Sequence, residues 1–488
     1  MDIEHSRALK LAADVSRKRQ RDLESHLDST WVVISVDPDY PLADLTTRIL
    51  ITTLRRGLGN FALVARGLPS AFVTELEELA QAIDPLRPLK VVRHSGGMPS
   101  TAVTVHVGPT APSRAIRIVP EGYGAHVAGH SAAVIRPRQR PTPLGAAYTA
   151  ALGAAEVFKY TAEVIPPRRV LHRHLQFCPV SLSANLSSVH QLAGHLTLDV
   201  TLVGVGAIGT AVVLLLDLLD AEGRLVAVDN QHYAAENRGT YSLGGQREAD
   251  LKPWKVDIAR DVLSTKFDVV PRRESVAEFV SAIDRREVRG TSTVVTALDS
   301  PDARRDAQRL WPDHLLDTGT GDTMLGLHDL WYGTDPCLWC IFPQDTGRPS
   351  GAQLVAERLG ISPEVLGKGE VILTTDHLIG LTEEQQQMLR PHVGTPMCGL
   401  AEATGLTRLN ADEYRPSVPF VSLQAACLAV GRLIANHCAH VPASNLIQYD
   451  GLFGPQAATL ERLRPLADCI CAVRARTLQE VRKVRYGT

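Results

Sequence analysis

Hydrophobic and polar positions follow two different periods along the first 160 or so residues of the chain. WVVISVD (31–37) is a β-branched and aromatic run of strand length. From about Leu42 to Leu58 the apolar residues recur at helical spacing, which predicts a helix. FALVARG follows as a strand and PSAFVTELEELAQAI as a helix, and then KVVRH, TAVTVHVG and AIRIVPEG read as strands. RPRQRPTP (136–143) is a Pro/Arg loop, and LGAAYTAALGAAEVFKYTAEV is an alanine-rich helix. Strands alternating with helices predict an α/β layer fold.

The second half repeats the theme. LTLDVTLVGVG reads as a strand running into a glycine turn, TAVVLLLDLLDA as a buried helix and RLVAVD as the next strand. TSTVVTALD is a later strand, and SVPFVSLQAACLAVGRLIANHC is a buried helix near the end. Between them lies a polar stretch, roughly 343–397, with a short acidic helix TEEQQQML. An excursion of that length from a compact core is usually a functional lid or insertion. The halves differ at one place. The strand WVVISVD runs into PDYPLADL, where two prolines and a tyrosine stand in the turn that holds glycines in the second half. The expected layout is therefore a domain over 1–180 with a related sheet but no nucleotide loop, followed by a second domain over 181–488.

Bulk composition narrows the function classes. The 488 residues are 44% hydrophobic and 21% charged, and 51 Lys+Arg nearly balance 53 Asp+Glu. This gives no electrostatic footprint for nucleic acid or an anionic membrane. The basic run Arg17-Lys18-Arg19-Gln20-Arg21, followed by Asp22 and Glu24, reads as a solvated helix face. The opening MDIEHSRALK lacks an apolar signal core. The longest apolar runs, such as Ala211–Leu216, fall short of a membrane span of about 20 residues. A cytoplasmic protein is expected, and eight cysteines there point to metal or catalysis before disulfides.

The candidate chemistry centres on Gly204-Val205-Gly206-Ala207-Ile208-Gly209. Gly204, Gly206 and Gly209 permit a tight strand-to-helix turn, close approach of a phosphate and close helix–strand packing. The helix beginning at Ala207 adds unpaired N–H groups and the positive end of its dipole. Asp229 ends the next strand, 20 residues after Gly209, a spacing that suits a ribose hydroxyl. Thus far NAD, ATP and tight packing with no ligand are all open. Asn237, Arg238, Lys255 and a second strand-end aspartate, Asp299, with Arg304 beyond it, suit a triphosphate and Mg²⁺. A dehydrogenase would instead need a proton donor beside the nicotinamide.

Residues 198–310 resemble the adenylation domain shared by ubiquitin-activating enzymes and the ThiF/MoeB proteins. The resemblance is carried by the glycine loop, Asp229, Asn237 eight residues on, the downstream Lys255, and Asp299 in ALDSPDAR. Two positions depart from the family pattern. Its arginine falls three residues after the asparagine, where Thr240 stands, leaving Arg238 as the nearest; and Gln231 replaces a common second acidic residue. The resemblance implies that Gly204, Gly206, Ala207, Gly209, Asp229, Asn237 and Lys255 bind ATP and that Asp299 holds Mg²⁺. It also implies that Cys337 and Cys340 in DPCLWCIFPQD, with Cys469 and Cys471 in ADCICAVR, form a structural zinc knuckle. Cys398 in HVGTPMCGL is the only cysteine between the first pair and the SLQA helix, where the family carries its acyl-accepting cysteine. Small neighbours (Gly394, Thr395, Gly399) suggest an accessible, mobile loop there, within an insertion over about 343–400. Cys178, Cys427 and Cys438 read as core residues.

On this resemblance the first half is the silent partner of a pseudo-dimer within one chain, and a further homodimer is open. Arginines near Arg17–Arg21 are its candidates for reaching the ATP. The implied activity is ATP-dependent adenylation of the C-terminus of a ubiquitin-like protein, then a thioester on Cys398 and transfer to a conjugating enzyme. The two-part layout resembles activating enzymes of bacterial ubiquitin-like (Bil-type, antiphage) operons. The alternatives are adenylation of a sulfur-carrier protein or peptide with no thioester relay, an NAD-dependent dehydrogenase, and a scaffold with a vestigial loop.

Overall fold

The β-branched run Trp31–Val36 forms strand β1, buried along most of its length. The computed structural model describes the chain apart from residues 1–5, 19, 111–114, 130–134, 165–173, 187–194, 344–350, 367–370, 396, 398, 399, 401–403, 405, 407–417, 439–442 and 487–488. Two helices, α1 (Ser6–Ser16) and α2 (Gln20–Ser29), precede β1. After it come α3 (Ala43–Arg55), β2 (Asn60–Val64), α4 (Ser70–Ile83), β3 (Lys90–Val92), β4 (Val103–Val107), β5 (Ile116–Glu121), β6 (Gly124–Ala128), α5 (Pro143–Thr161) and β7 (Leu175–Phe177). Their spatial order is β3-β2-β1-β4-β5-β6-β7. The first five are mutually parallel, and β6 and β7 continue antiparallel.

The second sheet is built the same way. Its elements are β8 (Leu196–Val203), α6 (Ala207–Leu218), β9 (Ala221–Val228), α7 (Gln246–Leu251), α8 (Lys255–Leu263), β10 (Phe267–Arg272), α9 (Val276–Asp284), β11 (Thr293–Thr296), α10 (Pro301–Ala307), β12 (His314–Gly321), β13 (Met324–Trp331), β14 (Leu446–Asp450) and β15 (Thr459–Glu461). The order is β10-β9-β8-β11-β12-β13-β14-β15, with parallel pairing up to β12 and antiparallel pairing after it. The first seven strands of this Rossmann-like sheet repeat the order and directions of the first sheet. The stretch DLKPWKVDIARDVL forms two helices. Lys252 adopts a left-handed conformation (φ 49°) ahead of Pro253, and Lys255 opens a new helix.

The two sheets meet along helices. α3 packs on α5, α6 on the helix Pro419–His437, and α5 on Pro419–His437. The seam carries specific contacts: Tyr148 Oη to Tyr449 Oη at 3.0 Å, and Phe158 against Phe420 with ring centroids 5.3 Å apart. Arg432 is fully buried there, donating to Asp329 at 2.7 Å and to the Val180 carbonyl at 2.9 Å. Pro419–His437 is long and apolar enough to cross a membrane by length and composition, but 94% of its apolar window is buried inside the protein. Cys427 on it and Cys178 are buried, whereas Cys438, expected in the core, is half-exposed at the end of that helix.

Residues Phe342–Arg415 form a separate compact unit. Its own small core gathers Val355, Leu359, Leu373, Leu378, Leu389 and Leu400. The backbone of Leu373 exchanges hydrogen bonds with Gly394 and Thr395, and Met397 N donates to Val371 O at 2.8 Å. Gly394 and Thr395, expected on a mobile loop, are therefore tied into a short ladder beside buried Met397. Cys398 itself lies outside the described residues.

Candidate active site

The C-terminal ends of β8 and β11 flank the point where strand order reverses, the crevice in which open α/β sheets bind ligands. The glycine turn from β8 into α6 lines it. Gly204 has φ +91°, and a Cβ there would sit 2.6 Å from the Ala297 carbonyl oxygen. A Cβ on Gly209 would overlap the Gly204 carbonyl. The fold itself requires these two glycines. Gly206 is different. Its φ of −83° suits any residue, and among the described residues a Cβ would meet only the Tyr241 hydroxyl, at 3.7 Å. Gly206 is also the N-cap of α6 and, as a glycine, supplies no side-chain cap to that end. The first amides of α6, from Ala207 onward, thus receive no cap from the N-cap position, as at phosphate-binding helix ends.

Asp229 follows β9 and grips this turn. Its Oδ2 accepts from Val205 N at 2.8 Å and its Oδ1 from Gln231 N at 2.9 Å. Burial pushes this carboxyl above its ordinary range against the pull of nearby Lys255, and the Asp299 charge adds to the rise. Lys255 is buried, with Nζ 2.5 Å from Gln231 Oε1 and 5.3 Å above the Tyr241 ring. The amide of Gln231 is thus a hydrogen-bond acceptor for Lys255. Asp299 lies three residues past β11 and is exposed. The loop, Asp229, Lys255 and Asp299 therefore share one crevice.

Asn237 and Arg238 sit on a 3-10 turn, Ala235–Gly239, and both are buried. Asn237 Oδ1 accepts from Ala234 N at 2.8 Å, and Ser242 N, farther along, reaches Thr210 Oγ1 of α6 at 3.2 Å. Arg304 donates to the Leu298 carbonyl at 2.8 Å and to Asp317 at 3.0 Å, bracing the turn ahead of Asp299. A Cβ at Gly319 would overlap its guanidinium. Asp317 is fully buried and also accepts from Thr296 at 2.7 Å and lies 3.0 Å from His328 Nδ1.

Three features of the site escape the sequence reading: the Asp317 network, Tyr241 under Lys255, and Arg56. Arg56, from the first sheet's half, is buried and donates to the carbonyls of Arg238 at 2.7 Å and Gly244 at 2.8 Å. Of the Arg17–Arg21 run, Lys18 instead pairs with Glu163, and Arg19 and the Arg21 side chain lie outside the described residues. Two adjacent arginines closing the apolar helix LITTLRR were the available signal for Arg56.

The four cysteines of the expected knuckle come together with their sulfurs all within 4.8 Å of one another. The Sγ–Sγ distances are 3.8 Å for Cys337–Cys340, 3.5 Å for Cys337–Cys469 and 3.5 Å for Cys340–Cys471. Tetrahedral zinc with Zn–S bonds of about 2.3 Å spaces its sulfurs about 3.8 Å apart, so the donor set fits Zn²⁺. Trp311, Trp339 and Leu478 pack around it. Leu478 belongs to the last helix, Ala475–Tyr486, which Arg482 anchors by lying 3.8 Å over the Tyr332 ring.

No protein-family model and no curated protein matches the chain. Among solved structures, the crystal structure of E. coli MccB aligns over 56% of this chain and 64% of its own, at 12% identity and a TM-score of 0.36. A crystal structure of E. coli MccB with AMPCPP and MccA aligns over 56% and 66%, at 13% identity and a TM-score of 0.35. The chain spans just under two thirds of the length of those MccB chains, and at this similarity the reading of the site rests on its own residues.

Proposed function

We propose that this protein is an ATP-dependent adenylating enzyme acting on the C-terminal carboxylate of a peptide or protein. The observation that carries the reading is Gly206, a glycine the fold does not need, as the N-cap of α6 in a loop gripped by Asp229, which in turn feels the charges of Lys255 and Asp299. A missing Cβ where a methyl would make only one ordinary contact, with the Tyr241 hydroxyl, leaves the backbone room to meet a phosphate. Residues 181–488 form the adenylating domain, and 1–180 its silent partner.

In this reading the amides of Gly206, Ala207 and the first turn of α6 hold the phosphates of ATP. Asp229 fixes the loop and offers its remaining lone pairs to the ribose. Lys255 supplies buried positive charge, and Asn237 and Arg238 shape the adjoining wall. Asp299, exposed at the strand end, would hold the Mg²⁺ that accompanies ATP and neutralises its phosphate charge. The substrate carboxylate attacks the α-phosphorus, the bond to the bridging oxygen breaks, and pyrophosphate leaves with an acyl-adenylate formed. The chain contributes position and charge complementarity to a centre it never bonds covalently.

For the partner we infer a ubiquitin-like protein, whose acyl group passes to the Cys398 thiolate with release of AMP and then to a conjugating enzyme. The alternative, adenylation without a thioester, is favoured by the ladder that ties Gly394, Thr395 and Met397 to residues 371–373. ATP–pyrophosphate exchange with a panel of peptides and ubiquitin-like proteins tests the activity. Exchange that depends on one of them and disappears in Asp299→Ala is expected; undiminished exchange in Asp299→Ala refutes the assigned site.

A further inference from the structure

The segment Arg238–Gly245, which closes one side of the candidate site, is held from outside its own sheet. Arg56 caps α3 in the first half and is buried. Its Nη1 donates to Arg238 O at 2.7 Å, and its Nη2 to Gly244 O at 2.8 Å and Ser242 O at 3.4 Å. These bonds span 182 to 188 residues of sequence. A second contact joins the same segment to the same half. A Cβ on Gly245 would overlap the carbonyl oxygen of Ala82 in α4, so only glycine lets the two backbones approach. Ser242 N meets Thr210 Oγ1 on the first turn of α6, and Thr210 Oγ1 donates to Gly206 O at 2.9 Å. A hydrogen-bonded path therefore runs from Arg56 through Ser242 and Thr210 to the middle glycine of the loop.

We propose that Arg56 is a positioning residue for the nucleotide site: it fixes Arg238–Gly244 against α6 from across the seam, making the first sheet's half part of the site's framework. The inference rests on the nucleotide reading given above. A guanidinium suits this task because its planar fork reaches several carbonyls in fixed directions, which an ammonium on a flexible stem does not. Arg55 is a matched control one residue away. It is as deeply buried, but it donates to Gly59 O at 2.5 Å and Asp84 O at 3.2 Å, both within the first half.

Two measurements on the full chain test this. The first is amide hydrogen exchange over residues 234–245 without nucleotide; the second is calorimetric binding of MgATP. Arg56→Met should speed exchange at 238–244 at least tenfold and weaken MgATP binding about tenfold. Arg56→Lys should fall between, and it carries the comparison if Arg56→Met does not fold. Arg55→Met should lower the melting temperature and leave both readings at the wild-type level. Unchanged exchange in the Arg56 variants, or an equal rise in Arg55→Met, overturns the proposal. A wild-type chain that fails to bind MgATP refutes the nucleotide reading, while exchange at 238–244 still decides whether Arg56 holds the segment.

Discussion

The three glycines of the loop should respond differently to one added methyl group. At Gly206 the backbone is extended (φ −83°, ψ −150°), and the nearest described protein atom to a new Cβ is 3.7 Å away, an ordinary contact. Replacing glycine by alanine in a compatible conformation stabilises a protein by about 0.4–1 kcal/mol through the unfolded chain. Gly206→Ala should therefore match or slightly exceed the wild type in thermal stability. Gly204 has φ +91°, so alanine there bears a strain of about 1–2 kcal/mol before its overlap with the Ala297 carbonyl. Gly209→Ala forces a methyl into the Gly204 carbonyl and should cost about 1–3 kcal/mol or more.

Binding should show the reverse pattern. A methyl at 206 stands where a phosphate oxygen would approach to about 2.9 Å of the loop amides. Losing two charge-assisted hydrogen bonds at about 1.5–3 kcal/mol each weakens ATP by at least about a hundredfold. Scanning calorimetry of the free proteins and titration calorimetry with MgATP separate the two effects. A folded Gly206→Ala that binds MgATP within threefold of the wild type would remove the central argument for a phosphate at this loop.

Other outcomes follow from the same geometry. The purified chain should release about one zinc per molecule to a chromophoric chelator after thiol modification, and Cys469→Ser/Cys471→Ser should release none; a metal-free wild type contradicts the assignment of the four-cysteine cluster to zinc. Burial pushes the Asp317 carboxyl up, but Arg304, His328 and Thr296 outweigh it and hold it below its ordinary range. Its stabilising contribution is therefore complete above the unfolded value of about 3.9 and lost as pH falls through the lower folded value. Asp317→Asn should cost about 3–5 kcal/mol at pH 7 by urea unfolding and flatten the stability profile below pH ~4; an unchanged acid limb argues against the pair. Cys398→Ser should keep pyrophosphate exchange and lose any reductant-sensitive conjugate band, and a persisting band assigns the acceptor elsewhere.

What the sequence discloses is what local chemistry determines. β1 and β2 are mostly apolar, β8 alternates before burying its last four residues, β9 closes on the apolar run LVAV, and each ends at turn residues; the loop with Asp229 is a short-range pattern across a single strand–helix–strand unit. The hairpin β12–β13 is harder to see. Asp317, Thr318 and Asp329 are buried polar residues in the middle of its strands, and they interrupt the apolar run that would announce it. Their burial is tolerable only because Arg304, Thr296 and Arg432 arrive from other elements and His314, at the start of β12, pairs with Asp329 across the hairpin. Arg56 is invisible for the same reason, since every one of its carbonyl partners lies in the other half. The four-cysteine set is legible because each pair is local, although its assembly spans more than 130 residues.

The shared strand order makes the two sheets each other's control. Register places Arg117 four residues before the end of β5 and Asp317 four residues before the end of β12, opposite Ala128 and His328 respectively. The second sheet thus holds a buried carboxylate that braces Arg304 under Asp299, while its counterpart holds a cation. At the preceding turn the first sheet has Asp37-Pro38-Asp39-Tyr40 in place of the glycines. The Tyr40 hydroxyl reaches the Pro120 carbonyl at 2.6 Å, and Asp37 accepts from Thr110 at 2.8 Å. Its strand ends are therefore bridged by its own side chains, with no glycine to admit a phosphate. The first half keeps the layered fold without the loop, and its contacts with the second sheet's site come from α3 and α4, through Arg56 and Ala82. The first sheet's turn is thus tied by its own side chains, while its seam with the second sheet carries the Arg56 hydrogen bonds to the Arg238–Gly244 segment beside the glycine loop.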